Sequence, residues 1–214
     1  MGTLSNTHAL QDRLLTVAKE EFAKQGLKGA RLQKIADDAQ VPKATLLYHF
    51  KSKTVLYQRV LETILSAWDE GFEELTIDAE PEIFFRRLID TKIASVRTDP
   101  LASKLFAQEI IQGAPHLDAH LSQQVKPWFR QQVSILEQWM DEGKIRRTDP
   151  TRLIFLIWAA TQHYADFQAQ VLTLMNRQEF DVELATDTSS FLHEFICNSL
   201  GIIDRKSTRL NSSH

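Results

Sequence analysis

The sequence predicts an all-α protein, with a helix-turn-helix domain at its N-terminus and a larger helical domain after it. Apolar residues recur along the 214-residue chain at intervals of three and four, the period of helices that bury one face. Seven Gly and six Pro are too few for the tight turns that would connect many short β-strands. The longest unbroken apolar run, 153–160, is far shorter than the roughly 20 residues that span a bilayer.

The first helix is predicted over 8–24, after a flexible polar arm at 1–7. Leu10, Leu14 and Phe22 share its apolar face. The pair Gln25-Gly26 closes this helix, because Gly readily adopts the positive φ of a helix terminus.

Two short helices follow, over 31–39 and 43–49, with the turn Gln40-Val41-Pro42 between them. Pro42 suits the start of a helix, where its missing N–H is not needed. Two short helices joined by such a turn form the motif that places its second helix in the major groove of DNA. The sequence therefore predicts a helix-turn-helix domain over 8–57.

Residues 58–203 are predicted to form a second, helical domain for effector binding and dimerisation. A long helix over 52–75 leads into it. Breaks at Pro and Gly residues delimit the later helices, predicted over 81–98, 101–112, 116–141, 150–174 and 182–200. The last eleven residues, 204–214, are polar and resemble the translation of a sequencing-library adapter, so we interpret them as an artefact that hides the true C-terminus.

Charge is distributed unevenly along the chain. Residues 1–60 carry a net charge of +5, residues 61–203 carry −10, and the whole chain carries −3. A basic segment on an acidic body indicates that one end binds a polyanion. A single cysteine, Cys197, and the absence of a secretory leader predict a cytoplasmic protein.

The N-terminal motif resembles the DNA-binding domain of the TetR family of bacterial regulators. The residues that carry the resemblance are Gly26, Leu32, Ile35, Ala36, Ala39, Val41, Lys43, Thr45, Leu46, Tyr48, His49, Phe50, Lys53 and Leu56. The sequence departs from the family at Ala30-Arg31 and Pro42, where Ser or Thr caps are usual, and at Gln40, where a turn Gly is common.

The resemblance implies a role for each exposed polar residue of this motif. Tyr48, His49 and Lys53 would contact phosphates, which positions a protein without reading sequence. Lys43 and Thr45 would reach base edges at the start of the recognition helix, and Arg31 could take either role.

The predicted helix over 150–174 carries the candidate effector residues. Trp158 and Gln162 lie one turn apart, so that an indole face and an amide edge could together bind a planar ring with alternating carbonyl and N–H groups. The alternative is a core Trp beside an amide that the backbone satisfies.

The C-terminal part of the chain resembles the pyrimidine-utilisation branch of the TetR family. The matching stretches are Ser103–Pro115 and Leu153–Phe167. The resemblance implies uracil or a close relative as effector, with Trp158 and Gln162 as ligand residues and Trp68 as a third candidate.

The sequence thus predicts a dimeric, ligand-responsive transcription regulator, most simply a repressor, which binds double-stranded operator DNA and is not an enzyme. One alternative keeps the regulator but gives it a larger apolar ligand, such as a drug or lipid. The other is a helical enzyme or metal protein, suggested by His116 and His120 at a spacing of four. No cofactor besides the effector is implied, and the exact effector and operator stay open.

Overall fold

The computed structural model describes residues 2–70 and 78–202, and the described residues form helices without strands, which confirms the all-α prediction. The helices are α1 Gly2–Gly29, α2 Leu32–Asp38, α3 Lys43–Phe50, α4 Lys53–Glu70, α5 Pro81–Thr98, α6 Pro100–Ile111, α7 Asp118–His120, α8 Lys126–Asp141, α9 Pro150–Asp166, α10 Gln168–Leu174 and α11 Val182–Ser199. No described helix has the length and apolar character of a membrane span. The predicted artefact at 204–214 and positions 71–75 of the predicted long helix lie outside the described residues.

Residues 2–7, predicted as a flexible arm, form the first turns of α1. The predicted end of this helix coincides with a real break, because Gly26 has φ 66° and ψ 173°. A residue with a Cβ rarely adopts this conformation, which accounts for the glycine.

Two helices predicted as continuous are interrupted in the structure. The segment predicted over 116–141 contains a π-helical stretch, Leu121–Val125, in which the Lys126 N–H bonds to the Leu121 carbonyl. Pro127 follows directly and has no N–H to continue an α-helical ladder, which explains the wider turn. The helix predicted over 150–174 breaks at Phe167, which has φ −113° and ψ 30°.

The chain divides into two compact units. The first comprises Met1–Glu70 and Leu101–Asp118, and the second comprises Gly71–Pro100 and Ala119–His214. In the first unit, α1 packs against α2 and α4, and α3 packs against α2 and α4. Its fully buried side chains include Leu14, Phe22, Ile35, Leu46 and Leu61.

The second unit has its own core around Trp139, which is completely buried. Helix α5 packs against α9 and α11, and α8 packs against α9. Asp149 accepts a hydrogen bond from the Arg152 N–H at 3.0 Å and so caps α9, whose first residue is Pro150. Helix α9, which carries the candidate effector residues Trp158 and Gln162, is therefore held by this apolar core.

Candidate functional site

Helices α2 and α3 form the predicted helix-turn-helix pair. The turn is closed by backbone hydrogen bonds from Gln40 to Asp37 and from Val41 to Ala36, both at 3.0 Å. Ile35, Ala36, Leu46 and Phe50 are buried and fix the two helices to each other and to the rest of the first unit. The opposite face of α3 is left exposed.

The exposed face of α3 carries the predicted DNA-contacting residues. Lys43 is exposed at the first residue of the helix, and Thr45 is half-buried in its first turn. Tyr48 exposes 82% of its surface, which is unusual for a large aromatic residue and leaves its hydroxyl accessible. The ring of His49 meets that of Tyr48 edge-on at 5.4 Å.

His49 and Lys53 also have contacts inside the first unit. His49 Nδ1 lies 3.4 Å from Gln11 Nε2 of α1. The Lys53 ammonium donates to the carbonyls of Lys28 and Ala30 at 3.1 and 3.0 Å, which satisfies free carbonyls near the end of α1. An ammonium has three N–H donors, so these bonds leave Lys53 one donor for a phosphate.

Arg31 lies at the N-cap position of α2, with its side chain exposed. Its backbone N–H donates to Glu21 Oε1 at 3.2 Å, so a carboxylate from α1 holds the start of α2, although the Arg31 side chain does not cap the helix as a Ser or Thr would. The guanidinium is thereby placed beside the start of the helix-turn-helix pair.

A buried polar cluster fastens α6 within the first unit. Glu109 is only 2% exposed and accepts hydrogen bonds from the Tyr57 hydroxyl at 2.9 Å and from the His116 backbone N–H at 2.7 Å. Burial, followed by the hydrogen bond to Glu109, raises the pKa of Tyr57. The Gln108 amide adds a hydrogen bond to the Ala23 carbonyl at 3.2 Å. These contacts join α1, α4 and α6.

The second unit contains a small cavity of about 30 Å³. Its lining residues are Phe84, Phe85, Leu88, Trp128, Gln132, Leu136, Ile154, Ile157 and Trp158. The Trp128 and Trp158 rings are nearly parallel, 12° apart, with centroids at 6.2 Å. Gln132 is only 5% exposed, and the surface that the lining residues present to the cavity is almost entirely apolar.

The structure separates the three predicted effector residues. Trp158 lines the cavity, whereas Gln162 is half-buried one turn further along α9 and does not line it. Trp68 belongs to the first unit, where its ring meets that of Phe106 at 5.0 Å.

Two lining residues, Trp128 and Gln132, were missed from the sequence. They lie on α8 with the same spacing of four residues as Trp158 and Gln162, so an identical signal was available. Helical spacing shows that two side chains share a face, but it does not show which face meets a cavity.

Helix α5 also carries a lysine whose pKa is lowered. Lys92 lies one turn after Leu88, and burial lowers its pKa to about 8 although the Asp166 carboxylate opposes this effect. A partly dehydrated ammonium is therefore held between α5 and the end of α9.

The two histidines of the metal hypothesis have separate surroundings. His116 Nδ1 lies 3.2 Å from Glu109 Oε1, while His120 Nε2 is buried without a hydrogen-bond partner in the described part of the chain. Among residues 2–70 and 78–202, no group of three or more His, Cys, Asp or Glu side chains could hold a metal ion.

Comparisons with known proteins give two family matches. The family described as "Bacterial regulatory proteins, tetR family" matches residues 14–60, and "YcdC-like protein, C-terminal region" matches residues 61–202. The HTH-type transcriptional regulator RutR of Escherichia coli K12 is 39% identical over 163 residues, which cover 76% of this chain and 77% of RutR.

Solved structures share the fold. The ketosteroid transcriptional regulator KstR2 of Mycobacterium tuberculosis superposes with a TM-score of 0.68 at 17% identity, over 89% of this chain and 94% of KstR2. AibR, solved with isovaleryl coenzyme A and operator DNA, gives a TM-score of 0.67 at 18% identity, over 87% of this chain and 97% of AibR.

Proposed function

The chain belongs to the TetR family of bacterial regulators, with a C-terminal region of the YcdC-like type, and we propose that it is a homodimeric repressor released from its operator by uracil or a related pyrimidine. Family membership itself makes it a transcriptional regulator with a DNA-binding N-terminal domain. The proposal adds the oligomeric state, the sign of regulation and the effector. The observation that carries the effector is the small apolar cavity lined by the two nearly parallel indoles of Trp128 and Trp158.

Operator contact is assigned to the exposed face of α3. Tyr48, His49 and Lys53 would bind phosphates, and Lys43 and Thr45 would contact bases at the N-terminal end of the helix. The exposure of Tyr48 and Lys43 supports this assignment, as does the net charge of +5 over residues 1–60. Arg31 would add a contact beside the start of α2.

A second copy of the chain is the proposed partner of the exposed apolar faces of α9 and α11. Phe191 and Phe195 stack on each other with centroids at 6.2 Å, yet they are 62% and 56% exposed. Leu156 of α9 and Phe167, which directly follows this helix, are similarly exposed. Exposed aromatic side chains in such numbers mark an interface, and helix-turn-helix dimers use two-fold symmetry to match two half-sites.

The cavity has room for about two water molecules, so any effector would displace part of its wall, and a single planar ring would displace less of it than a drug or lipid. Its volume of about 30 Å³ is well below the roughly 300–1,000 Å³ of typical ligand pockets. An indole stacks well on a flat ring, and an amide pairs with adjacent donor and acceptor groups. Uracil has both features, whereas a larger apolar ligand would displace more of the core.

RutR and the proteins of the matching families are regulators. This supports the proposal that the protein acts on DNA in the cytoplasm and catalyses no reaction. Release by the effector requires that uracil bind more tightly to the form that does not fit the operator.

Fluorescence anisotropy with double-stranded DNA from upstream of its own gene tests the proposal. We expect binding that weakens as salt rises, because phosphate contacts release counterions, and that is lost when uracil is added. Tyr48→Phe removes one phosphate hydrogen bond and is expected to weaken binding by about five- to thirtyfold, or about 1–2 kcal/mol.

Tyr164→Phe is the matched control, since Tyr164 belongs to the second unit, and its operator affinity should equal that of the wild type. Operator binding that does not change at any uracil concentration would contradict the pyrimidine effector. An unchanged affinity in Tyr48→Phe would contradict the assigned role of α3.

A further inference from the structure

Helix α1 contacts one of the side chains that we assign to operator binding. Gln11 Nε2 lies 3.4 Å from His49 Nδ1, which is 38 positions further along the chain. We propose that Gln11 is a positioning residue, whose amide donates to His49 Nδ1 and so keeps the Nε2–H of the neutral imidazole available to an operator phosphate. This inference rests on the proposed function and deepens the role of His49 in it.

The chemistry of the imidazole ring decides which nitrogen can bind a phosphate. A neutral imidazole has one N–H donor and one acceptor nitrogen, and the proton can be on either of them. A phosphate oxygen only accepts, so an uncharged His49 binds it only through a nitrogen that carries the proton. Gln11 occupies Nδ1 and leaves Nε2 for the phosphate. An amide N–H that donates to Nδ1 requires a lone pair there, which places the proton on Nε2.

The other neighbours of the His49 ring hold it in place without choosing between its nitrogens. The ring centroid lies 5.4 Å from that of Tyr48 and 6.3 Å from that of Phe50. Phe50 is buried in the core and Tyr48 is exposed, so the half-buried imidazole lies at the border of the first unit. Neither neighbour is charged. The position of the ring proton is therefore governed by the Gln11 amide.

Gln11 is fixed by the packing of the helix that carries it. Its side chain is half-buried, and Leu14, three residues further along α1, is completely buried. Residues three apart are neighbours on the surface of a helix, so Gln11 lies at the edge of the buried face of α1. Both α1 and α3 pack against α4. The core of the first unit thus sets the distance between the amide and His49.

The same helix holds a second proposed phosphate contact. The Lys53 ammonium donates to the carbonyls of Lys28, in α1, and of Ala30, which directly follows it. Two side chains assigned to the phosphates are therefore bonded to α1 or to the residue after it. A side chain that is held before DNA arrives loses less conformational freedom on binding. This supports a role for α1 in ordering the phosphate contacts.

The opposite orientation of the amide leads to a different expectation. With its oxygen toward Nδ1, Gln11 would accept a hydrogen bond from that nitrogen, and the neutral ring would offer the DNA a lone pair. Only the protonated ring would then bind a phosphate, and operator affinity would rise as the pH falls through the range in which histidines titrate. Gln11→Glu enforces this second state, because a carboxylate only accepts hydrogen bonds.

The test is operator binding, measured by fluorescence anisotropy at pH 6 and pH 8, for the full-length wild type, Gln11→Glu and Gln25→Glu. Gln25→Glu is the matched control, since it adds the same charge at an exposed site of α1, roughly 21 Å along the helix. We expect Gln11→Glu to bind about tenfold more weakly than Gln25→Glu at pH 8, and within about threefold of it at pH 6, because protonation restores the Nε2–H.

A double-mutant cycle verifies that this effect belongs to His49. In the background of His49→Phe, Gln11→Glu should change operator affinity by the same factor at pH 6 and pH 8, because no imidazole remains at this position to be protonated. Circular dichroism verifies that each variant is folded.

A further measurement on the wild type does not depend on the folding of a variant. In protein labelled with 15N-histidine, two-bond 15N–1H correlation spectra distinguish the two neutral forms of the ring. We expect the Nε2–H form for His49 of the wild type at pH 8. The signal that is lost in His49→Phe identifies the residue.

An affinity of Gln11→Glu, relative to Gln25→Glu, that is the same at both pH values would overturn this inference and leave the proposed function standing. The Nδ1–H form of His49 in the wild type at pH 8 would do the same. A wild type that does not bind its operator would overturn the assignment of α3 to DNA, and the role of Gln11 with it.

Discussion

Individual residues show how a side chain predicted for one role acquires another in three dimensions. Lys53 fits the phosphate-binding position of its motif, yet its ammonium bonds to two carbonyls near the end of α1. Glu21 provides a second case, because its buried carboxylate accepts a hydrogen bond from the Arg31 N–H at the start of α2. Both contacts link residues 10 to 25 positions apart, which local sequence spacing does not reveal.

Lys92 makes a pH-dependent contribution to stability. Its pKa is about 8 in the folded state, lowered by burial, and about 10.4 in an unfolded chain. Between these values the unfolded state binds more protons, so the free energy of unfolding should rise with pH across this window.

We expect the stability of the wild type, relative to Lys92→Met, to increase by about 1–2 kcal/mol from pH 8 to pH 10 once solvent screening is allowed for. Urea unfolding followed by tryptophan fluorescence measures this difference, with exposed Lys104→Met as the control. A difference that does not vary with pH would show that the Lys92 ammonium keeps its hydration.

The turn between α2 and α3 contains a residue with a strained backbone conformation. Gln40 has φ 56°, in the left-handed region, at the position where the TetR family commonly has glycine. This conformation costs a residue with a Cβ roughly 1–2 kcal/mol. Glycine avoids that cost, but the net gain in stability is smaller because glycine loses more conformational entropy on folding.

Gln40→Gly should therefore stabilise the protein by about 0.5–1 kcal/mol, measured as a higher midpoint in thermal unfolding. The same substitution at Gln33, within helix α2, should destabilise by about 1 kcal/mol because glycine disfavours helix. Equal effects of the two substitutions would refute the strain at Gln40.

The π-helical stretch before α8 explains why element boundaries were harder to predict than element types. Apolar periodicity continues through 116–141, so the sequence predicted one helix, but the proline at 127 imposes a wider turn.

For the whole molecule, the exposed faces of α9 and α11 predict a dimer. Phe191→Ser combined with Phe195→Ser should convert the protein to a monomer in sedimentation velocity, because it removes two large apolar groups from the proposed interface. Ile111→Ser, an equally apolar and exposed site in the first unit, should remain dimeric. A double variant that still sediments as a dimer would place the interface elsewhere.

The path of the chain explains how the two units are coupled covalently. It leaves the first unit after Glu70, returns at Leu101 and leaves again after Asp118. The returning segment is fastened within the first unit by Glu109 and Gln108. A sequence read from one end to the other suggested a single boundary near residue 57 and gave no sign of this return.

By itself the sequence determined the helical class, the helix-turn-helix motif with its exposed recognition face, and the family. These features depend on spacing within one helix or across one short turn, so a local pattern contains them. Only the tertiary structure decided that Gln132 and Trp128 line the cavity while Gln162 does not. That choice depends on how α8 and α9 are rotated against α5, and rotation is fixed by the packing of side chains far apart in the sequence.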